Sequence, residues 1–378
     1  MKNIALIGST GSIGKQTLEV VRRNPDKLKI VSLSAGENVS LFLEQVKEFK
    51  PKIATLKKKI DIDLSQYKET EFFFGEDAYK NAIGSFSDVA LVSLVGYEGI
   101  IAVLDCIDKG VDIALANKES LVVGGEIVTK RAKEKGVNIY PVDSEHSAVW
   151  QAMGFDFNKP FNRIILTASG GAFRDFSKSQ LEKVTAKEAL KHPNWLMGAK
   201  ITIDCATLVN KAFEVTEAKW LYNTTFDKID VIIHRESIIH SMVEYIDGST
   251  MAQMSTPTME LPIQLALLYP ERVEFTLPRL DFSKLRTLSF EKVDNDRFPC
   301  FNLVVSASKK GGCYPAVANG ANDCLVDLFL KGKIAYNDIY RGIDGALNAF
   351  SGDYNGQFAD LDNANTFAKN FIKQKFGE

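Results

Sequence analysis

The sequence predicts an α/β fold: an N-terminal half on a parallel sheet, a second sheet-bearing region, and a helical end. Three observations predict it. Residues 1–149 alternate short apolar runs with segments of helical periodicity, the pattern of strand–helix–strand units. The first apolar run meets the glycine-rich turn Gly8-Ser9-Thr10-Gly11-Ser12-Ile13-Gly14 at once. Beyond residue 300 strand-like alternation disappears and helical spacing takes over.

Taken in order, Asn3–Ile7 reads as a buried strand, Lys15–Arg23 as a helix and Leu28–Ala35 as a second strand. A helix over Val39–Phe49 is closed by Pro51. Lys52–Leu56 and Glu71–Phe74 are short strands, and Val89–Val95 is a longer one. The helix Tyr97–Asp108 stops at Gly110, a residue suited to a left-handed cap. Strands at Val111–Ala116 and Asn138–Val142 flank a helix over Gly125–Lys135. Arg163–Thr167 is a strand running into Ala168-Ser169-Gly170-Gly171, and Lys200–Tyr222 a strand–helix passage. Asp230–His234, Ile238–Tyr245 and Thr250–Ser255 alternate like strands of one sheet, with a turn at Asp247-Gly248-Ser249. Pro270–Pro299 reads as a linker, and helices follow at Cys300–Lys309, Ala316–Phe329, Tyr336–Phe350 and Asp362–Lys375.

With 378 residues, 45% of them hydrophobic, the chain can bury more than one core. Its 46 Lys and Arg against 48 Asp and Glu give a net charge of −2, which excludes a general attraction to nucleic acid or anionic membrane. No run approaches a membrane span, and the first apolar run is too short for a signal peptide. Five scattered cysteines without C-x-x-C spacing read as free thiols in a reducing compartment, so a cytoplasmic location is expected.

Three groups of residues carry chemistry. Glycines at 8, 11 and 14, between a strand and a helix, permit a tight turn whose N–H groups approach a pyrophosphate at the helix's positive end. A plain glycine turn would share the spacing. The ribose side should be Ala35-Gly36-Glu37-Asn38, where Glu37 leans toward NAD because an acid takes a 2′-OH and disfavours a 2′-phosphate. Second, Tyr140-Pro141-Val142-Asp143-Ser144-Glu145-His146 ends a strand in two acids. In an extended backbone Asp143 and Glu145 share one face, and their repulsion is relieved by a cation or a shared proton. Oxygen-only ligands favour Mg²⁺ or Mn²⁺ over zinc, though a solvated acidic turn reads the same. On a helix, Asn210, Lys211 and Glu214 cluster on one side, either as an exposed salt-bridged face or as the source of a third carboxylate. Third, Ser169-Gly170-Gly171 can cradle phosphate, and Lys118, between Asn117 and Glu119, can hold an anion. The loop His192–Gly198 carries Trp195 and Met197 as a lid or a buried anchor, whereas His234 and His240 read as core histidines.

Together the ordered motifs GSTGSIG, ANKES, VDSEH, HPNWLMG and NKAFE resemble the 1-deoxy-D-xylulose 5-phosphate reductoisomerase family, from Gly8 through about Met259. The resemblance implies an N-terminal Rossmann-like dinucleotide-binding domain (1–149), a central α/β catalytic and connective domain (150–270) with a flap at about 190–199, a linker (271–299) and a C-terminal helical bundle (300–378). It implies a homodimer acting on a phosphosugar in isoprenoid biosynthesis. Carried over, Thr10, Gly11, Ser12, Ile13, Gly36, Asn38, Asn117, Glu119 and Gly198 contact NADPH. Asp143, Glu145 and Glu214 hold Mg²⁺ or Mn²⁺. Lys118, Ser144, Glu145, Ser169, His192, Asn210, Lys211 and Glu214 bind substrate, with Lys118 and the three acids catalytic. Trp195 and Met197 belong to the flap, and Met259 lies near the nicotinamide.

The expected reaction is a metal-assisted skeletal rearrangement of a hydroxy-ketone, then hydride reduction. Two departures stand out. Glu37 occupies a position where the family commonly has Lys or Arg, so a cation for the 2′-phosphate must come from elsewhere. Cys205 occupies a position where the family often has a phosphate-binding serine, and a thiol is a weak donor. The segment His234–Ser237 also lacks the family's usual proline. Two other functions compete. One is a metal-independent NAD-linked dehydrogenase of a small hydroxy or semialdehyde substrate, suggested by the glycine turn and Glu37. The other is a silent nucleotide sensor, in which Glu214→Gln or Asp143→Asn would change nothing.

Overall fold

Seven short apolar runs pair as one all-parallel sheet in this computed structural model, which describes residues 1–195 and 197–377. In chain order the N-terminal elements are β1 (Lys2–Ile7), α1 (Ser12–Arg23), β2 (Leu28–Ala35), α2 (Val39–Phe49), β3 (Ile53–Leu56), β4 (Glu71–Phe74), β5 (Val89–Val92), α3 (Glu98–Asp108), β6 (Asp112–Leu115), α4 (Glu119–Lys135), β7 (Ile139–Pro141) and α5 (Ser144–Ala152). The strand order β4-β3-β2-β1-β5-β6-β7 reverses direction between β1 and β5. Such a switch point opens a crevice at the carboxyl ends of the strands, where open α/β sheets bind ligands. Ile4, Leu6, Ile30, Leu33 and Leu91 fill the core, with Leu18 of α1 and Phe42 and Val46 of α2 packed against them.

Two boundaries differ from expectation. Glu119–Lys135 is helical well before Gly125, broken only at Gly124 (φ −122°, ψ 24°), so the glycine pair interrupts a helix instead of starting one. β7 ends at Pro141, and Asp143 leads into a helix; Asp143 and Glu145 are therefore not alternate residues of a strand.

The chain continues through β8 (Arg163–Ala168), the short helices α6 (Lys178–Leu181) and α7 (Ala186–Ala189), α8 (Ala199–Thr207), α9 (Val209–Leu221), β9 (Ile229–Ile233), β10 (Ile239–Glu244) and β11 (Thr250–Met254). Ile201-Thr202-Ile203, expected to begin a strand, is helical because its burial follows a helix face; Leu208, at φ +60°, separates α8 from α9. Next come α10 (Glu260–Leu268), the two-residue strand β12 (Glu291–Lys292) inside the expected linker, and α11 (Pro299–Lys310), α12 (Tyr314–Leu330), α13 (Tyr336–Ala349) and α14 (Phe358–Phe376).

By compactness the chain forms two units. The first is Met1–Ser120, Val128–Ser147 and Thr258–Leu277. The segment bearing α10 thus belongs with the parallel sheet: Ile263, Ala266, Leu267 and Leu268 enter its core. Lys2 Nζ donates to the Tyr269 carbonyl at 2.6 Å, and Lys27 pairs with Glu271 at 2.5 Å. The second unit is Leu121–Ile127, Ala148–Pro257 and Pro278–Glu378. Its five-stranded sheet, β11-β10-β8-β9-β12, is mixed, with only β8 and β9 parallel. The helical end belongs to this unit. Asn322 of α12 donates to Asp204 of α8 at 2.8 Å, and the Tyr336 hydroxyl of α13 to the Ala206 carbonyl at 2.7 Å. Among the described residues no helix is long and apolar enough to cross a membrane.

Candidate active site

The turn after β1 can be built only from glycine at two positions. Gly8 has φ +97°, and a Cβ there would stand 2.7 Å from Ser93 Oγ, just past β5. A Cβ on Gly14 would lie 2.2 Å from the Gly8 carbonyl oxygen. Gly11 caps α1 in extended backbone without a side-chain hydrogen bond, so Thr10, Gly11, Ser12 and Ile13 surround an uncapped helix N-terminus at the switch point. Orphan N–H groups and the helix dipole favour an anion there. The turn after β2 holds Gly36 and exposed Asn38, whose Oδ1 accepts from Leu41 N–H at 3.3 Å and starts α2.

Past β6, Asn117 Nδ2 donates to the carbonyls of Leu94 and Gly96, both at 2.9 Å, and to Glu119 Oε2 at 3.0 Å. A buried amide thereby ties the β6 end to the loop after β5 and orients Glu119. Next to it, buried Lys118 reaches Asp143 Oδ2 at 2.9 Å. Asp143 in turn accepts from Glu145 N–H on Oδ1 at 3.1 Å, and its carbonyl accepts from Ser147 N–H at 2.8 Å. Asp143 is thus the N-terminal cap of α5. Ser144 Oγ donates to Glu145 Oε2 at 2.6 Å. What brings the two acids to one side is a helix start, not a pleat.

On α9 the exposed salt-bridged face does not exist. Glu214 is 1% exposed and Lys211 3%. Asn210 Nδ2 donates to Glu214 Oε1 at 2.6 Å, and Lys211 Nζ is paired with Oε2. The amide and the ammonium hold the buried carboxylate in one orientation. One oxygen from each of Asp143, Glu145 and Glu214 lies within 4.8 Å of the others. An all-oxygen donor set of this kind suits a hard divalent cation.

Ser169 follows β8. Its Oγ accepts from Gly171 N–H at 3.2 Å and lies 2.9 Å from His192 Nε2. His192 Nδ1 accepts from the N–H groups of Asn194 and Trp195, at 3.2 and 3.0 Å. The proton of the neutral ring is therefore on Nε2, which donates to Ser169, leaving the serine hydroxyl proton to point at a ligand. Gly170 and Gly171 have φ +82° and +70°, and a Cβ on Gly171 would stand 2.4 Å from the Cys205 carbonyl oxygen. The turn lies directly against the end of α8.

Of the expected flap, Trp195 is half-buried and meets the His240 ring at 6.0 Å; Met197 is half-buried, and Gly198 caps α8. Leu196 lies outside the described residues. Met259 packs against the first unit's core at the start of α10. His234 is a satisfied core histidine, its Nδ1 2.9 Å from the Ser289 carbonyl.

Two contributors escaped the sequence reading. Asn194 anchors its loop through Nδ2 to the Arg235 carbonyl and Ser237 Oγ, both at 2.7 Å; an amide in a Pro-bounded loop was its only signal. Lys57-Lys58-Lys59 leaves β3 beside the ribose-side turn, and three successive cations at a strand's carboxyl end were visible but unassigned.

Family models described as 1-deoxy-D-xylulose 5-phosphate reductoisomerase match residues 4–125, as its C-terminal domain 139–222, and as DXP reductoisomerase C-terminal domain 254–371. The chain is 48% identical over 358 residues to the protein of that name from Shouchella clausii, covering 93% of this chain and 94% of that one. Identity to the Chloroherpeton thalassium protein is 44% over 380 residues, covering 99% and 98%. Among solved structures, the Zymomonas mobilis reductoisomerase in complex with NADPH superposes with a TM-score of 0.90 at 35% identity, covering 100% of this chain and 99% of that one. A DOX-P reductoisomerase in complex with NADPH, fosmidomycin and magnesium gives 0.90 at 34%, covering 99% and 97%.

Proposed function

The chain belongs to the 1-deoxy-D-xylulose 5-phosphate reductoisomerase family, and from that premise we propose that Asp143, Glu145 and Glu214 together hold one divalent cation. The enzyme converts 1-deoxy-D-xylulose 5-phosphate to 2-C-methyl-D-erythritol 4-phosphate and depends on NADPH and a divalent metal. When bound, the cation supplies a Lewis acid for the adjacent oxygens of the hydroxy-ketone, and NADPH supplies hydride.

The chain's own residues divide the remaining work. Thr10, Gly11, Ser12 and Ile13 receive the pyrophosphate on backbone N–H groups, and Gly36 and Asn38 border the adenosine ribose. Asn117 and Glu119 fix the loop beside the nicotinamide end, with Gly198 and Met259 completing its surroundings. Lys118 orients the Asp143 carboxylate and balances or transfers a proton as charge develops on the substrate oxygens. Ser144 steers Glu145. Ser169, His192, Asn210 and Lys211 grip the substrate phosphate, so that remote binding energy orients the reacting carbons. Trp195 and Met197 cover the site and exclude water. The same reading extends to Mn²⁺ as an alternative ion, a homodimer, a cytoplasmic location and a role in non-mevalonate isoprenoid biosynthesis.

The observation that carries the metal role is the approach of three carboxylates to within 4.8 Å, an all-oxygen donor set of the kind a hard divalent cation takes. Steady-state NADPH oxidation with the phosphorylated deoxyketose should require added Mg²⁺ or Mn²⁺ and stop on adding EDTA. Turnover that survives chelation would remove the metal role, and an accompanying preference for NADH would favour the simple dehydrogenase.

A further inference from the structure

We propose that Lys58 is the residue with which this chain selects the 2′-phosphate of NADPH. The proposal rests on NADPH being the cofactor. The difficulty it answers is electrostatic: the ribose-side turn offers exposed Glu37, and a carboxylate repels a 2′-phosphate. The neighbouring strand supplies the missing charge. β2 and β3 pair in parallel, with Ala35 opposite Leu56. The chain leaving β3 stays beside that turn, as Lys57 N–H donates to the Ala35 carbonyl at 2.9 Å and Lys58 N–H to the Gly36 carbonyl at 3.2 Å. The backbone of Lys58 is thereby fixed one residue away from Glu37.

Three lysines are adjacent there, and the structure separates their roles. Lys57 Nζ is drawn off by Glu76 at 2.8 Å and Glu98 at 3.4 Å. The hydrogen bond that Lys57 donates to Glu76 raises the Lys57 pKa and commits that ammonium to the pair. Lys59 leans toward Gly75 past the end of β4, its Cε 4.0 Å from where a Cβ on that glycine would stand. Lys58 is exposed and forms no ion pair among the described residues. It is the lysine of the three that is both tethered to the ribose-side turn and uncommitted. The surroundings suit the group: Gly36 admits close approach, since a Cβ there would meet nothing within 4 Å.

The test is direct binding, read by the fluorescence of the reduced nucleotide and by calorimetry without substrate or metal. Lys58→Ala should weaken NADPH about tenfold, the loss of one exposed charge-assisted contact, and leave NADH unchanged. Lys59→Ala should change neither. The wild-type preference for NADPH should also shrink as salt rises from 0.05 to about 0.5 M, and the Lys58→Ala protein should lose that salt dependence. If wild type prefers NADPH and Lys58→Ala keeps the preference, or loses both nucleotides equally, the proposal is overturned and the reductoisomerase reading stands. If wild type binds NADH as tightly as NADPH, the cofactor reading fails and takes the proposal with it.

Discussion

Two glycine turns carry the anion contacts proposed for this chain, and they are built by different means. The turn after β1 closes an all-parallel sheet, leads straight into the twelve-residue helix α1 and offers backbone N–H groups at an uncapped helix end. The turn after β8 leaves a mixed sheet with no long helix behind it, and the groups proposed to bind there are side chains. Ser169 belongs to the turn, His192 arrives from the loop after α7, and Asn210 and Lys211 come from α9. On the proposed assignment, a dinucleotide's pyrophosphate would be met by geometry that one contiguous segment supplies, and a sugar phosphate by three segments that the fold must assemble. The first kind of site survives changes of side chain but not of glycine; the second is tuned residue by residue.

The sharpest way to break the comparison is Gly14→Ala. Its methyl group would stand 2.2 Å from the Gly8 carbonyl oxygen and 2.6 Å from Ser9 Cα, both backbone atoms, so the turn must open. Overpacking of this kind costs about 3 kcal/mol, which corresponds to roughly a hundredfold weaker NADPH binding if the whole cost falls on the site. Equilibrium binding and the thermal midpoint should both fall. Normal NADPH affinity in a folded Gly14→Ala protein would show that this turn is not the nucleotide cradle.

Gly171→Ala is the counterpart. Here φ is +70° and the added Cβ would meet the Cys205 carbonyl oxygen at 2.4 Å, so the turn must shift away from α8. The expected result is a KM for the phosphorylated substrate raised about tenfold, with the dissociation constant for NADPH unaltered. Equal losses on both ligands would mean that the two turns do not act separately.

This contrast also explains what was legible in the sequence. A strand, three spaced glycines and a helix are local, so the first turn could be recognised from spacing. The pairing of the two acids in Asp143-Ser144-Glu145 was read from a strand pleat. Asp143 and Glu145 are aligned by the start of α5, which a strand reading of 138–142 obscured. Burial of Lys211 and Glu214 was illegible, because helical spacing alone does not say which face is covered; α9 is buried nearly all round. The return of α10 to the first sheet was hidden for the same reason. A helix buried without a break from Pro262 to Leu268 leaves no periodic trace of its long-range packing.

A smaller effect is expected at Ser169. Its hydroxyl stands between Gly171 N–H and His192 Nε2, and Ser169→Ala removes one donor to the phosphate while leaving the backbone turn intact. One net hydrogen bond is worth about 1 kcal/mol, so KM should rise roughly fivefold with little change in kcat. A loss confined to kcat would instead assign the serine to the chemical step.

The smallest effect tests side-chain tuning in the opposite direction. Cys205 is half-buried near the end of α8; its carbonyl lines the close approach to Gly171 and accepts from Leu208 N–H at 3.2 Å. Those backbone roles do not depend on the side chain, so Cys205→Ser should leave the fold unchanged. What it changes is the donor: a hydroxyl hydrogen-bonds an anionic oxygen better than a thiol does. A gain of about 0.7 kcal/mol, within the usual range for one net hydrogen bond, lowers the substrate KM roughly threefold, with NADPH affinity unmoved. An unchanged KM would show that α8 meets the phosphate through backbone alone, and the two glycine turns would then differ less than their side chains suggest.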